Sequence, residues 1–432
     1  METMEKIKVE KYSKYKPSGV DWLGEIPENW ELQPSKRLHV VKKHLNSNKQ
    51  SDNILSLTLR GVVNNDPDSP EGLVPKDYRS YQLFEKNNLV FKLIDLENVK
   101  TSRVGIVHEN GIMSSAYIRL IIGNHTIPRY AFYYYFNLYL NEVYNNLGSG
   151  VRSTLGPNDL LNLPFICPSK EEQTAIATFL DHKTSLIDKA IGIKEKQIEL
   201  LKERRQIFIH KAVSRGLNPN VKMKESSEEW IGKVPEHWEV CNNFVLFQER
   251  KEPGNESLPL LSVSIHTAVS SEELDDDENI RGKIKIQDKS CYKFVDMNDI
   301  VFNMMRAWQG AIGAVRVKGM VSPAYIVAKS KFEINADYFE YQYRTTNFIQ
   351  QMDRNSKGIT DFRKRLYWDE FKQLLSIVPP LSEQNQIAEF IESVNTKTTT
   401  AINLKNFEIE KLKEYKATLI SSAVTGKIKL TK

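Results

Sequence analysis

The chain carries one short phrase twice. Residues 22–32 read WLGEIPENWEL and residues 230–240 read WIGKVPEHWEV, 208 positions apart. Each copy holds two tryptophans eight apart, a glycine, and a proline three residues before the second tryptophan. Further echoes keep the same order at offsets of 206 to 211. ILSLTLRGVV (54–63) matches LLSVSIHTAV (260–269), and LVFKLI (89–94) matches IVFNMM (300–305). GIMSSAYIRL (111–120) matches GMVSPAYIVA (319–328), and LLNLPFICPSKEEQTAIATFL (160–180) matches FKQLLSIVPPLSEQNQIAEFI (371–391). HKAVSRGL (210–217) matches SSAVTGKI (421–428). One unit of about 210 residues is therefore present twice, which excludes a solenoid, whose periods run about 20–50 residues. Duplication predicts pseudo-two-fold symmetry. It serves either stability alone or a partner that is itself two-sided, such as duplex DNA with a split site.

Each copy divides into a globular part and a long helix. No proline occurs between Pro168 and Pro219, or after Pro380. Ser169 with Glu172 forms a capping-box signature at the first helix start, whereas Pro380 stands at the matching place in the second. Gly216 and Gly426 mark the stops of helices of about 40 residues. In the first helix Ile187, Ile191, Ile198 and Leu201 lie on a heptad seam that continues through Lys194 and Arg205. Ile402, Ile409 and Leu412 keep the register at an offset of 211, interrupted by Lys405 and Lys416. The four interruptions read as surface that awaits a partner. Two helices so matched are expected to pack on each other.

The globular parts, about 30–165 and 238–378, hold short β-type runs punctuated by Gly, Asn, Asp and Pro. An aromatic, helix-like stretch follows each: YAFYYYFNLYLNEVYNN (130–146) and ADYFEYQYRTTNFIQQM (336–352). The fold class is α+β: two mixed α/β domains separated by an antiparallel pair of long coiled-coil-like helices. The globular parts diverge much more than the helices do, as if one fixed frame carried two different readers.

At 432 residues, 40% hydrophobic and 27% charged, the chain has the make-up of a soluble globular protein of two to four domains. No run of about 18 apolar residues predicts a membrane span, and METMEKIKVEKYSKYK has no secretion-signal core. Cys167, Cys241 and Cys291 are widely spaced and read as reduced cytosolic thiols. A net charge of +5 permits a polyanionic partner without requiring one. Motifs for chemistry are missing: no GxxxxGK[ST] loop and no Gly-rich nucleotide cradle. SPAY (322–325) matches SSAY (114–117) within a β-type run and reads as scaffold, not as a methyltransferase NPPY loop. The acidic run EELDDDE (272–278) lacks EF-hand spacing. His39 and His44 lack cysteine partners and read as surface residues. No metal and no cofactor are expected on this chain.

Taken together, the tryptophan phrases, the segments PSKEEQTAIATFLD and PPLSEQNQIAEFIE, the endings AVSRG and AVTGK, and DIVFNMMRAWQGAIG with VSPAYIV resemble the specificity subunit of type I restriction–modification systems. The resemblance covers essentially the whole chain and rests on order and duplication. It implies 1–165 as the N-terminal segment and first target-recognition domain, 166–217 as the first conserved helix, 218–378 as the second recognition domain, and 379–432 as the second helix. It also implies a cytoplasmic, non-catalytic subunit. Each recognition domain would read one half of a bipartite double-stranded DNA target. Two modification subunits, binding S-adenosylmethionine, and restriction subunits, using ATP and Mg, would join it. The competing readings are a scaffold or inhibitor that binds methyltransferase subunits without reading DNA, and a fragment of a fused restriction enzyme.

DNA contact needs cations and small polar donors in loops. In the first domain these are Lys42, Lys43, Arg60, Lys76, Arg79, the segment from Lys100 to Arg103, and Arg152 in GSGVRST. In the second they are Arg306 and Gln309 in NMMRAWQG, then Lys357, Arg363, Lys364, Arg365 and Tyr367 in SKGITDFRKRLYW. Trp308 is open between a core role and DNA contact. Trp22, Trp30, Trp230 and Trp238 are assigned to the frame, packing with their Leu or Ile neighbours into an apolar seam against the helices. A helix of roughly 60 Å spans at most about 18 bp of B-DNA at 3.4 Å per pair. Lengthening both helices should therefore change the unread spacer and leave the half-sites intact. Methyladenine mapping checks this, and an unmoved spacer would contradict it.

Overall fold

The computed structural model describes residues 8–65, 77–94, 96, 104–147, 154–226, 228, 231–255, 257–271, 291–358 and 364–431. The chain forms two compact units, Met1–Lys194 with Asn406–Lys432, and Glu195–Lys405. EELDDDE, the KIKI run (283–286) and Trp230 lie outside the described residues.

In the first unit, strands β1 (His39–Val41), β2 (Leu89–Phe91), β3 (Val104–Ile106) and β4 (Ile118–Ile122) form one antiparallel sheet in the order β1-β4-β2-β3. In the second, β5 (Phe247–Glu249), β6 (Ile300–Asn303), β7 (Ile312–Ala314) and β8 (Tyr325–Ser330) follow the same rule, β5-β8-β6-β7. The central runs LVF and IVF are buried throughout, one face against the aromatic helix and the other against two strand pairs in the first unit and a second four-stranded sheet in the second. Each unit is also closed by a two-stranded clamp. Glu31–Pro34 pairs with Pro164–Cys167, and Glu239–Asn242 pairs with Leu375–Val378. The clamp joins the residues after the second tryptophan of the phrase to those before the helix start.

The aromatic runs are helices: α1 (Pro128–Leu140) begins with proline at its first turn, and α3 (Ala336–Tyr343), capped by Asn335, whose side chain accepts the Tyr338 amide, is followed by α4 (Thr346–Asn355). Their tyrosines are buried because each hydroxyl finds a partner. Tyr130 donates to Ile166 O at 3.0 Å and Tyr134 to Pro164 O at 2.7 Å. Tyr338 donates to Ile377 O at 3.1 Å and Tyr343 to Asn243 Oδ1 at 3.0 Å. The rings are pinned to the clamp strands, so core and clamp are one structure.

The long helices are α2 (Lys170–Arg215, 46 residues) and α5 (Leu381–Val424, 44 residues). Ser169 and Glu172 make the reciprocal capping box, each bond 3.3 Å. At the start of α5, Pro380 O instead accepts the Glu383 and Gln384 amides at 2.8 and 3.0 Å. In the first unit, Asp188 to Lys194 runs against Lys416 to Glu408, so the helices are antiparallel. Ile187 and Ile409 are buried there, with Ile191 and Leu412 half-buried. In the second, Ile198 is buried, Leu201 and Ile402 are half-buried, and Phe208 meets Phe390 edge-on. Two seam interruptions do not await a partner. Lys194 reaches Glu408 at 2.6 Å and Lys416 reaches Asp188 at 2.7 Å, each on the facing helix. Such partly exposed pairs contribute about 0–1 kcal/mol each, so the isoleucines hold the seam and the lysines set its register.

The phrase sits where one long helix begins and the other ends. Trp30 is fully buried; its indole N–H donates to Glu172 Oε1 at 3.3 Å, at the start of α2. Gly426, just past α5, lies against the same ring at φ +75°, and a Cβ there would press on Pro27 and Trp30. Trp238 repeats this: it is fully buried and donates to Glu383 Oε2 at 3.1 Å at the start of α5, while Gly216 just past α2 at φ +75° lies on its ring. The neighbouring Gln173 and Gln384 tie the loop before each aromatic helix to the same corner. Their amide oxygens accept Ile127 N at 2.7 Å and Asn335 N at 2.9 Å, and their amide groups donate to Pro168 O and Pro379 O. Leu23 and Ile26 are buried as expected; in the second phrase Val234 is buried and Ile231 half-buried. Trp22 is not: at 37% exposed it stands outside the apolar seam.

His39 also departs from the sequence reading. It is 2% exposed, its ring lies edge-on to Phe165 at 4.8 Å, and neither ring nitrogen has a hydrogen-bond partner among the described residues. It opens β1, whose inward positions must be buried whatever their polarity. Burial pushes its pKa down to about 4.

Trp30→Ala or Trp238→Ala should destabilise its unit by about 3–5 kcal/mol, and Trp22→Ala by less than about 0.5 kcal/mol, as read by denaturant unfolding. For His39, the unfolded imidazole takes up its proton first as pH falls, so the folded state loses stability from about pH 6.5 down to the folded pKa. Between pH 7.5 and 4.5 His39→Leu should remove about 2–3 kcal/mol of the pH dependence of unfolding; equal slopes in both proteins would contradict the assignment.

Candidate nucleic-acid interface

In the first unit β1 runs out into Lys42 and Lys43, both exposed and without an ion-pair partner among the described residues. They line a cavity of about 310 Å³ with Gln82, the Ser115–Arg119 segment, Leu93, Ile94 and Thr154–Pro157. The Leu155 amide donates to Leu93 O at 2.9 Å, fastening the segment before the helix start onto the end of β2. Beneath, the Arg119 guanidinium is buried against Asn88 and Glu85, which holds the floor of this edge.

The second unit builds the matching edge from other residues. The Leu366 amide donates to Met304 O at 2.9 Å, the counterpart of Leu155 and Leu93 at an offset of 211. Arg306 is exposed at the end of β6, and its guanidinium has no partner among the described residues. Trp308 is half-buried; its indole N–H donates to Met305 O at 3.0 Å and its ring carries the Lys364 ammonium 5.3 Å from the centroid. Trp308 is therefore a shelf for Lys364, neither a core residue nor a free ring. Lys364 also reaches Asp353 at 2.7 Å. Lys357 and Arg365 exchange both backbone hydrogen bonds at 2.8 Å as an isolated antiparallel bridge. Lys357 pairs with Glu370, which raises its pKa, and Tyr367 is exposed. Buried Arg250 grips buried Asp299 at 2.8 and 3.1 Å under this edge, where the first unit has Arg119 and Asn88.

Three candidates fall elsewhere. Arg79 lies beside Asp77, 3.6 Å away, in a short turn. Arg60 lies in the turn of the Leu55–Thr58/Gly61–Asn64 hairpin. It faces a separate cavity of about 590 Å³ walled by α1, Thr184, Asp188, Lys416 and Ile420. Gln309 faces an equivalent cavity of about 450 Å³ walled by Arg205, Ile209, Asn395 and the Ile265–Ala268 turn. Lys76, Lys100, Arg103, Arg152 and Arg363 lie outside the described residues.

Sequence reasoning missed Arg344, just past α3. Its two terminal nitrogens lie 2.6–3.4 Å from five carbonyl oxygens, those of Ser264, Ile265, His266, Gly310 and Ile312. It therefore joins the hairpin turn to the end of the Arg306–Gln309 loop. Burial lowers its pKa, yet a guanidinium remains charged. Phe136 occupies the matching place in the first unit, so the repeat held no signal for this arginine. Among the described residues no group of three or more His, Cys, Asp or Glu side chains is placed to hold a metal, and no helix is long and apolar enough to cross a membrane. The two edges present exposed Lys42 and Lys43 in one unit, and exposed Arg306, Lys357 and Tyr367 in the other.

The family described as "Type I restriction modification DNA specificity domain" matches residues 60–203 and 250–411. A "Putative type I restriction enzyme MjaX specificity subunit" from Methanocaldococcus jannaschii is 23% identical over 440 residues, covering 94% of this chain and 96% of that protein. A chain from a structure titled as the basis of complex assembly and conformational transition of the type I R-M system aligns with a TM-score of 0.65 at 10% identity. It covers 92% of this chain and 98% of that one, a likeness of fold. The HsdS subunit from Thermoanaerobacter tengcongensis aligns over 93% of this chain and 98% of its own, at 11% identity and a TM-score of 0.49.

Proposed function

The chain belongs to the type I restriction–modification DNA-specificity family, and from that membership we propose that it selects the DNA target of such a complex without a catalytic step of its own. Each unit reads one half of a bipartite duplex site, and the long helices dock two modification subunits. S-adenosylmethionine, ATP and Mg belong to the modification and restriction subunits, and this chain holds none of them.

The observation that carries the reading is the contrast between the two edges. Sheet order and clamp are the same in both units, yet the residues presented differ: Lys42 and Lys43 in one; Arg306, Lys357, Lys364, Arg365 and Tyr367 in the other. A frame kept constant under changing polar loops suits two different half-sites, because loops on a rigid scaffold carry recognition. Docking is supported by the outer face of α2. Leu186 and Ile193 in the first unit, and Leu200 and Ile207 in the second, are about half exposed at seven-residue spacing, on the side away from the seam. Apolar residues repeated at that spacing suit a partner helix.

Arg306→Gln, Lys364→Gln and Arg365→Gln test the edge. A phosphate contact should lower the slope of log affinity against log salt by about 0.9. A base contact should cost about 1–3 kcal/mol and relax one position of the second half-site. Unchanged affinity, slope and specificity in all three would remove this edge from the interface.

A further inference from the structure

The walls that the long helices give to the two cavities behind the hairpin turns differ in one charge. Their helical walls correspond at an offset of 211: Lys416 with Arg205, Thr184 with Asn395, Ile420 with Ile209. In the first unit both oxygens of Asp188 accept from the Lys416 ammonium, at 2.7 and 2.8 Å. The position matching Asp188 is Thr399, so the second unit lacks that carboxylate. Arg205 is half-buried and has no hydrogen-bond or ion-pair partner among the described residues. The other charges lining its cavity are committed. Glu340 accepts the Ala314 amide at 2.8 Å and lies 3.4 Å from Arg316, while Arg344 holds its carbonyls. His266, Gln309 and Asn395 bring further polar groups to the same walls.

We propose that Arg205, with His266, Gln309 and Asn395, forms an oxyanion site that the chain does not fill itself, and that its occupant is a carboxylate side chain of a docked protein partner. A guanidinium presents a fork matched to a carboxylate or phosphate. Ile209, Ile265 and Ile349 on the walls favour an acidic residue carried on an apolar segment over a DNA phosphate. The identity of the partner rests on the function proposed above; the anion site does not.

The test uses the full chain and inorganic phosphate, exchanged for chloride at constant ionic strength. Phosphate stabilises folded proteins generally, so the readout is the difference between variants. Bound phosphate should raise the wild-type melting temperature by about 3 °C more than that of Arg205→Gln. Thr399→Asp, which supplies the missing carboxylate within the chain, should abolish the same extra shift, and Lys416→Gln in the first unit should leave it intact. A wild-type shift equal to those of Arg205→Gln and Thr399→Asp overturns the site. With the modification subunit bound, the extra shift should vanish. If it persists in that complex, or vanishes with duplex DNA alone, the carboxylate assignment is overturned while the site stands.

Discussion

Each unit depends on one buried indole. Trp30 and Trp238 donate to the glutamate at the start of one long helix while the glycine that ends the other lies on the ring. The glutamine next to each glutamate then fastens the loop before the aromatic helix. Three chain segments far apart in sequence converge at each corner. A smaller side chain at the tryptophan would leave a cavity, and a larger one at the glycine has no room. The polar bonds fix which glutamate faces which ring, and the apolar contact provides most of the free energy. That division explains why the phrase must occur twice: each corner needs its own tryptophan.

Much of this frame was legible beforehand because its signals are local and repeated. The capping box at Ser169, the glycine stops and the heptad isoleucines each act through neighbours a few residues away. Duplication then tested each signal against its counterpart. Where the reading failed, the determinant was long-range. His39 reads as a polar residue near a loop, yet its strand position buries it against Phe165. Trp22 looks equivalent to Trp30, yet only the latter meets a helix start. Lys194 and Lys416 look like breaks in a seam until their carboxylates appear on the facing helix. The candidate interface was the least legible part. Arg60 and Gln309 share the composition of the other candidates and face different cavities, since composition does not tell which wall of a loop a side chain joins.

The two units also show how one backbone plan tolerates different chemistry. Arg119 with Asn88 and Arg250 with Asp299 fill equivalent space from different strands. A buried guanidinium needs a carboxylate: Arg250 has buried Asp299 and exposed Glu252, whereas Arg119, beside the neutral Asn88 amide, has only exposed Glu85. Such exchanges alter the polar surface above them while leaving the sheet order untouched. A specificity subunit has use for this tolerance: its frame must stay fixed for its partners while its edges diverge.

The central claim is that this fixed frame carries two separate readers of DNA. Co-expression with the modification subunit from the same source, followed by mapping of methyladenine on host DNA, tests it most directly. The account predicts methylation at a split, asymmetric site that depends on this chain, with one half-site alone changing when residues 30–165 are exchanged for those of a relative. A soluble complex that leaves DNA unmethylated would contradict it and favour a scaffold or inhibitor.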